Sequence, residues 1–175
     1  FKDGTNKVVL ANKNNYSDVL TAAPFAKANN ASLLYISSNS ISKEVMSEIA
    51  RLKAKEITII GGEKSVNEGL KKELEKRNFK VERLSGADRY KTSAQIASKL
   101  ITDKTTTLEI ASGENYADAL SLNNAAEKDK APILLVRVNA IDKSVEDVIK
   151  SSKASLINIA GGEKSVSEST KANIK

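Results

Sequence analysis

The sequence predicts an α/β protein made of tandem three-layer units with mainly parallel sheets. Two observations carry that expectation. Short apolar runs alternate with stretches of helical period about a dozen residues long, the pattern of successive βαβ units. The whole pattern then recurs at a shift of 100 residues without a gap, and about a third of positions 1–75 match their counterparts.

Each element follows from its local pattern. Val8–Ala11 is a short apolar run, mirrored by Leu108–Ala111. Tyr16–Ala28 places Val19, Leu20, Ala23 and Ala26 at helical spacing. Leu33–Ile36 and Ile133–Val136 are continuous apolar runs, as expected for strands buried on both faces. Ser42–Leu52 carries Val45, Ile49 and Leu52 on one helical face. Ile57–Ile60 and Leu156–Ala160 are apolar again and end at Gly-Gly. Val66, Leu70 and Leu74 recur every four residues and predict a helix. Phe79–Leu84 reads as a further strand or as the linker between copies. Asp88–Leu100, with Ala94, Ile96, Ala97 and Leu100, reads as a helix. Right-handed crossovers put helices on both sheet faces.

The repeats are expected at 1–82 and 83–175, with a boundary near Val81–Arg83. No Pro/Ser/Gly-rich linker separates them, so they should pack closely. The first lacks a counterpart of the helix at 88–100, and the second lacks a counterpart of the strand at 79–84. The chain therefore reads as a segment of a longer tandem array.

Composition narrows the chemistry. The 175 residues carry 28 Lys+Arg against 22 Asp+Glu, a formal net charge of +6, which favours acidic partners. Cys is absent, which excludes disulfides, thiolate nucleophiles and Cys-bound metal. His is absent too, removing the commonest general base and transition-metal ligand. No cofactor or metal site is expected. Aromatic residues make up 4% and Trp is missing, so a base-stacking platform for single-stranded nucleic acid is not expected. No apolar run approaches the ~20 residues of a membrane span.

Three motifs stand where strands meet helices. Gly61-Gly62-Glu63-Lys64-Ser65-Val66 recurs as Gly161-Gly162-Glu163-Lys164-Ser165-Val166. Its bland reading is a tight turn followed by a capping box, Ser65 with Glu68 and Ser165 with Glu168. Its functional reading is a phosphate or carboxylate contact at a helix start, with Lys64 or Lys164 alongside. It lacks the glycine before the lysine of a Walker loop, and G-x-G-x-x-G is missing as well. Asn15-Tyr16-Ser17-Asp18 and Asn115-Tyr116-Ala117-Asp118 lie at strand ends, where open α/β sheets bind ligands. Asn15 or Asn115 would cap the next helix, and Asp18 or Asp118 would suit its dipole. In Ser85-Gly86-Ala87-Asp88-Arg89-Tyr90, Asp88 would cap the helix at 88–100. Arg89, one of five arginines, would pair with a carboxylate and, with Tyr90, either knit the two repeats or contact ligand. No nucleophile–base constellation is visible.

The run R-x-S-G-A-D-R-Y-x-T-S at 83–93 resembles the start of the type 2 cell-wall-binding repeat of clostridial and other Gram-positive surface proteins. Asn115–Leu120, Ala131–Leu135 and Ile159–Ser167 resemble the family's N-x-x-D-A-L, A-P-I-L-L and I-x-G-G-x-x-x-V-S segments, in family order. The copy at 1–82 departs from it, reading NYSDVL and ASLLY. The resemblance implies a Rossmann-like fold, usually three repeats in a pseudo-trimer. It also implies extracellular, non-covalent anchoring in the cell wall or S-layer through an anionic polysaccharide or teichoic-type polymer. On that reading the polymer-facing residues are the repeated strand-end motifs and Asp88-Arg89-Tyr90. The rival expectations are a small phosphate- or nucleotide-binding enzyme using the GGEKS turn, and a structural repeat for surface-lattice assembly.

Overall fold

The computed structural model describes residues 1–115, 117, 120–122, 126 and 130–174. The first half runs β1 (Lys7–Asn12), α1 (Tyr16–Ala28), β2 (Ser32–Ile36), α2 (Lys43–Arg51), β3 (Glu56–Ile60), α3 (Glu68–Lys76) and β4 (Lys80–Leu84). The second runs α4 (Arg89–Leu100), β5 (Thr107–Ser112), β6 (Ile133–Val136), α5 (Lys143–Ser151), β7 (Leu156–Ile159) and α6 (Glu168–Ile174). All strand pairs are parallel. The first sheet has the order β2-β1-β3-β4 and the second β6-β5-β7. Residues 79–84, left open between strand and linker, form a strand, with Ile60 in register with Leu84.

Period-two alternation builds the layers. On β1, Val8 and Leu10 face one core with Ile49 and Leu52 of α2 and its end, and with Leu70 and Leu74 of α3. Val9 and Ala11 face another, with Ala22, Phe25 and Ala26 of α1 and Ile96 of α4. The second sheet's core gathers Leu108, Ile110, Ile133–Val136 and Val145 of α5.

That third core also takes Leu20 from α1 and Tyr90, Ala94 and Ala97 from α4. Helices α1 and α4 are thus one layer serving both sheets. The expected tandem α/β units with parallel sheets are present and pack closely, through a middle helical layer that the two sheets share. One polar contact ties it further. Ser93 Oγ on α4 accepts from the backbone N–H of Leu135 on edge strand β6 at 3.0 Å, and Ser93 is fully buried.

The sharing separates the two equivalent edge strands. β6 is buried along its whole length, as expected. β2 is not, against expectation, and Tyr35 is 49% exposed. The cause is what packs on each edge: α1 and α4 pack on β6, and among the described residues no helix takes the place of α4 against β2.

Candidate functional site

The carboxyl ends of β1, β3 and β4 open into a crevice of about 570 Å³. Asn15, Ser17 and Asp18 line it from the start of α1, and the Gly62–Ser65 turn follows β3. Gly86–Arg89 and Thr92 close it from the loop after β4 and the first turn of α4. Two cations, Lys64 and Arg89, face three acids, Asp18, Glu63 and Asp88. The lining is therefore polar and of mixed charge rather than basic.

Asp18 is the hub. Ser65 Oγ donates to its Oδ2 at 2.6 Å and Asn15 Nδ2 donates to the same oxygen at 2.7 Å. Asn12 Nδ2 holds the turn by donating to the Ser65 carbonyl at 2.7 Å, while its Oδ1 accepts from Asn14 N–H. Burial pushes the Asp18 carboxyl up to about 6, opposed by the Ser65 hydroxyl and by the Arg89 charge. The carboxyl fixes the Ser65 hydroxyl within the turn. Gly61 lets the turn close on this hub. Its φ is +103°, and a Cβ there would lie 2.1 Å from Asp18 Oδ2.

Several capping expectations change. Ser65 does not cap α3: Asn67 does, its side chain accepting from Gly69 N–H at 2.6 Å. Glu68 accepts from Arg83 and Lys71. In the second copy Ser167, not Ser165, accepts from the first turn of α6, at Thr170 N–H. The GGEKS turns therefore precede their helices by several residues and present no helix start to an anion. Asn15 stands at the N-cap of α1 but makes no side-chain cap, because its Oδ1 accepts from the Ser17 hydroxyl at 2.7 Å while its Nδ2 donates to Asp18 and Ser65. Asp18 lies in that first turn as a buried group rather than an exposed dipole partner. Asn115 does accept from Ala117 N–H at 3.2 Å, and Asp88 caps α4 through Lys91 N–H at 2.8 Å.

Arg89 joins the two halves, though not through a carboxylate. Its guanidinium donates to the Tyr16 hydroxyl at 2.6 Å and to the Gly113 carbonyl, and Tyr16 also donates to Gly113. The guanidinium carbon lies 5.3 Å from the Tyr16 ring centre. Tyr90 is buried in the second core, with Arg137 over its ring, and does not line the crevice. So Asn15, Asp18, Gly62, Lys64, Ser65, Asp88 and Arg89 come together, with Gly61 beneath. Tyr16 sits beside them on Arg89.

The second copy keeps the contact between the strand-end asparagine and the turn serine, which Asn15 and Ser65 make at 3.3 Å in the first. Asn115 Nδ2 donates to Ser165 Oγ at 3.2 Å, and Gly161 has a φ of +93°. Gly162 and Lys164 stand in the same turn. Tyr116 and Asp118 lie outside the described residues.

Sequence reading missed Asn12, Thr92 and Arg83. Thr92 Oγ1 accepts from Gly86 N–H at 2.9 Å, and Arg83 donates to the Gly61 carbonyl at 2.8 Å. One signal was available for Asn12. Both first strands end in a polar residue, and Ser112 does the corresponding job by accepting from Glu114 and Asn115 N–H. Among the described residues no group of three or more Asp, Glu, His or Cys is placed to hold a metal.

Comparison with known proteins agrees with this architecture. Cwp8 from Clostridium difficile superimposes with a TM-score of 0.90 at 35% identity, covering 99% of this chain and 30% of that one. Cwp6 from the same organism also gives 0.90, at 29% identity, covering 99% and 28%. N-acetylmuramoyl-L-alanine amidase LytC of Bacillus subtilis is 30% identical over 159 residues, 91% of this chain and 32% of that protein. The chain thus spans about a third of each of these three proteins. The family described as Cell wall binding domain 2 (CWB2) matches residues 2–71 and 83–171, and the chain belongs to that family.

Proposed function

We propose that this chain is a non-catalytic module that holds a surface protein to the Gram-positive cell wall, outside the cell, by binding an anionic wall polymer. The observation that carries this reading is the family match over both halves, to a domain described as cell-wall binding. The net charge of +6 supports an anionic polymer. The amidase match covers a third of that enzyme, so its activity is not carried over to this chain.

We take the repeats as 1–82 and 83–175 and the strand-end motifs as the contact points. In the first, Asn15, Asp18, Lys64 and Ser65 would meet polymer together with Asp88 and Arg89, while Gly61 and Gly62 shape the turn. Tyr16 and Tyr90 would act indirectly, by fixing Arg89 and α4. Asn115, Tyr116, Asp118, Gly161, Gly162, Lys164 and Ser165 would form the second. Each contact is weak, but linked sites on a repeating polymer add through effective concentration.

The open edge of β2 supports a further partner repeat. Since α1 and α4 cover the equivalent strand β6, a helix pair from another copy would cover Tyr35 and Leu33 in the same manner, in a trimeric or pseudo-trimeric arrangement. The same edge favours the second reading, a lattice-forming repeat. A salt series on purified walls separates them. Polymer binding predicts release as salt rises from roughly 0.05 to 0.5 M, since the Debye length shrinks below about 8 Å. Retention indifferent to salt would contradict it and favour apolar contact between repeats.

A further inference from the structure

We propose a second anion subsite at the far end of the molecule, in the joint between the two sheets, that takes a tetrahedral oxyanion such as a polymer's phosphate group. It rests on the anionic-polymer reading for its biological ligand, but not for its chemistry. The C-terminal ends of α1 and α4 and the start of β5 enclose a cavity of about 360 Å³. Lys99, Lys104 and Lys130 line it beside Thr102, Thr105 and Thr107, and among the described residues no Asp or Glu lines it. The strand-end crevice, by contrast, mixes three acids with two cations.

Of two described acids nearby, one is engaged elsewhere and one pairs with a lysine of the site. Asp103, next to Lys104 in the chain, lies 2.7 Å from Lys153 Nζ. Glu82 lies 3.0 Å from Lys99 Nζ, so Lys99 is partly neutralised and the burden falls on Lys104 and Lys130. The hydroxyls are set to donate. Thr105 Oγ1 accepts from Thr102 N–H at 2.9 Å, and Thr102 Oγ1 accepts from Lys104 N–H at 3.2 Å. Each hydroxyl so used still has its proton to give, which is what an anion requires.

Helix dipoles account for part of this charge but not all of it. Lys99 sits in the last turn of α4, where a cation is favoured in any case. Lys104 lies past the end of α4, whereas Lys130 stands in a turn closed by Ala131 N–H donating to the carbonyl of the helical residue Ala126. Lys130 also occupies a left-handed backbone position, with φ +54°. Its counterpart in the first repeat is Asn30, at φ +51°, a residue that tolerates that region well. In the second repeat the residue at this position is a lysine that lines the joint.

Titration of inorganic phosphate into isotope-labelled chain, followed by amide chemical shifts, tests the site. Saturable shifts are expected at Thr102–Thr107 and Ala131. Lys104→Gln with Lys130→Asn should weaken that binding about tenfold or more; asparagine is chosen because Asn30 holds the same backbone. Lys104→Gln alone, at an exposed position, should weaken it in the same direction without disturbing the fold. Shifts absent from this segment, or equal affinity in wild type and variants, overturn the subsite. Wall retention of the wild-type chain is measured separately. A chain that binds phosphate here but is not retained sinks the polymer reading and keeps the site. A retained chain without phosphate binding here does the reverse.

Discussion

Asp18 shows how much one buried carboxyl can organise and what it costs. Its folded-state pKa of about 6 exceeds the ordinary 3.8 because burial disfavours the charge. Between those values the folded chain holds more protons than the unfolded one, so stability falls as pH rises from about 4 to about 6. The change is about 3 kcal/mol across that window, and above it the penalty is constant. Asp18→Asn can keep both donors on its amide oxygen, so denaturant unfolding at pH 4.5 and 7 should show the slope flattened; an unchanged slope would assign it elsewhere. Gly61→Ala meets both a left-handed φ and the Asp18 oxygen, so it should lose about 2–4 kcal/mol in the same assay. The sequence made these residues visible as motifs but misassigned Ser65. A capping rule sees the glutamate three residues on, whereas the partner that claims this hydroxyl lies 47 residues away.

Among the elements, α4 matters most, because each of its faces belongs to a different core. Ile96 packs on the first sheet, and Tyr90, Ala94 and Ala97 pack on the second. Ser93 adds the polar tie to β6. Ser93→Ala would leave the Leu135 N–H buried without its acceptor, at a cost of about 1–3 kcal/mol in urea unfolding. Helix and strand positions were legible because period-two and period-3.6 patterns are local: the helix expected at Tyr16–Ala28 has those same bounds. The burial difference between β2 and β6 was not legible. Both read as apolar runs, and only the helix layer outside each decides which one is covered.

At the scale of the molecule, the repeat was plain from the 100-residue shift, but the shared α1–α4 layer was not. Interdigitation is a property of the pair of sheets, and neither copy's pattern encodes it alone. The shared layer predicts that both halves unfold in one cooperative transition, seen as coincident loss of the native amide signals of β3 and β5; two separate transitions would show independent units. It also fixes the separation of the strand-end crevice from the basic joint at the other end, so that a long polymer would be held at more than one point. The central claim is tested most directly by retention of the purified chain on cell walls before and after removal of their anionic polymers. Binding to intact walls and loss on stripped walls is the predicted result, and equal retention on both would contradict it.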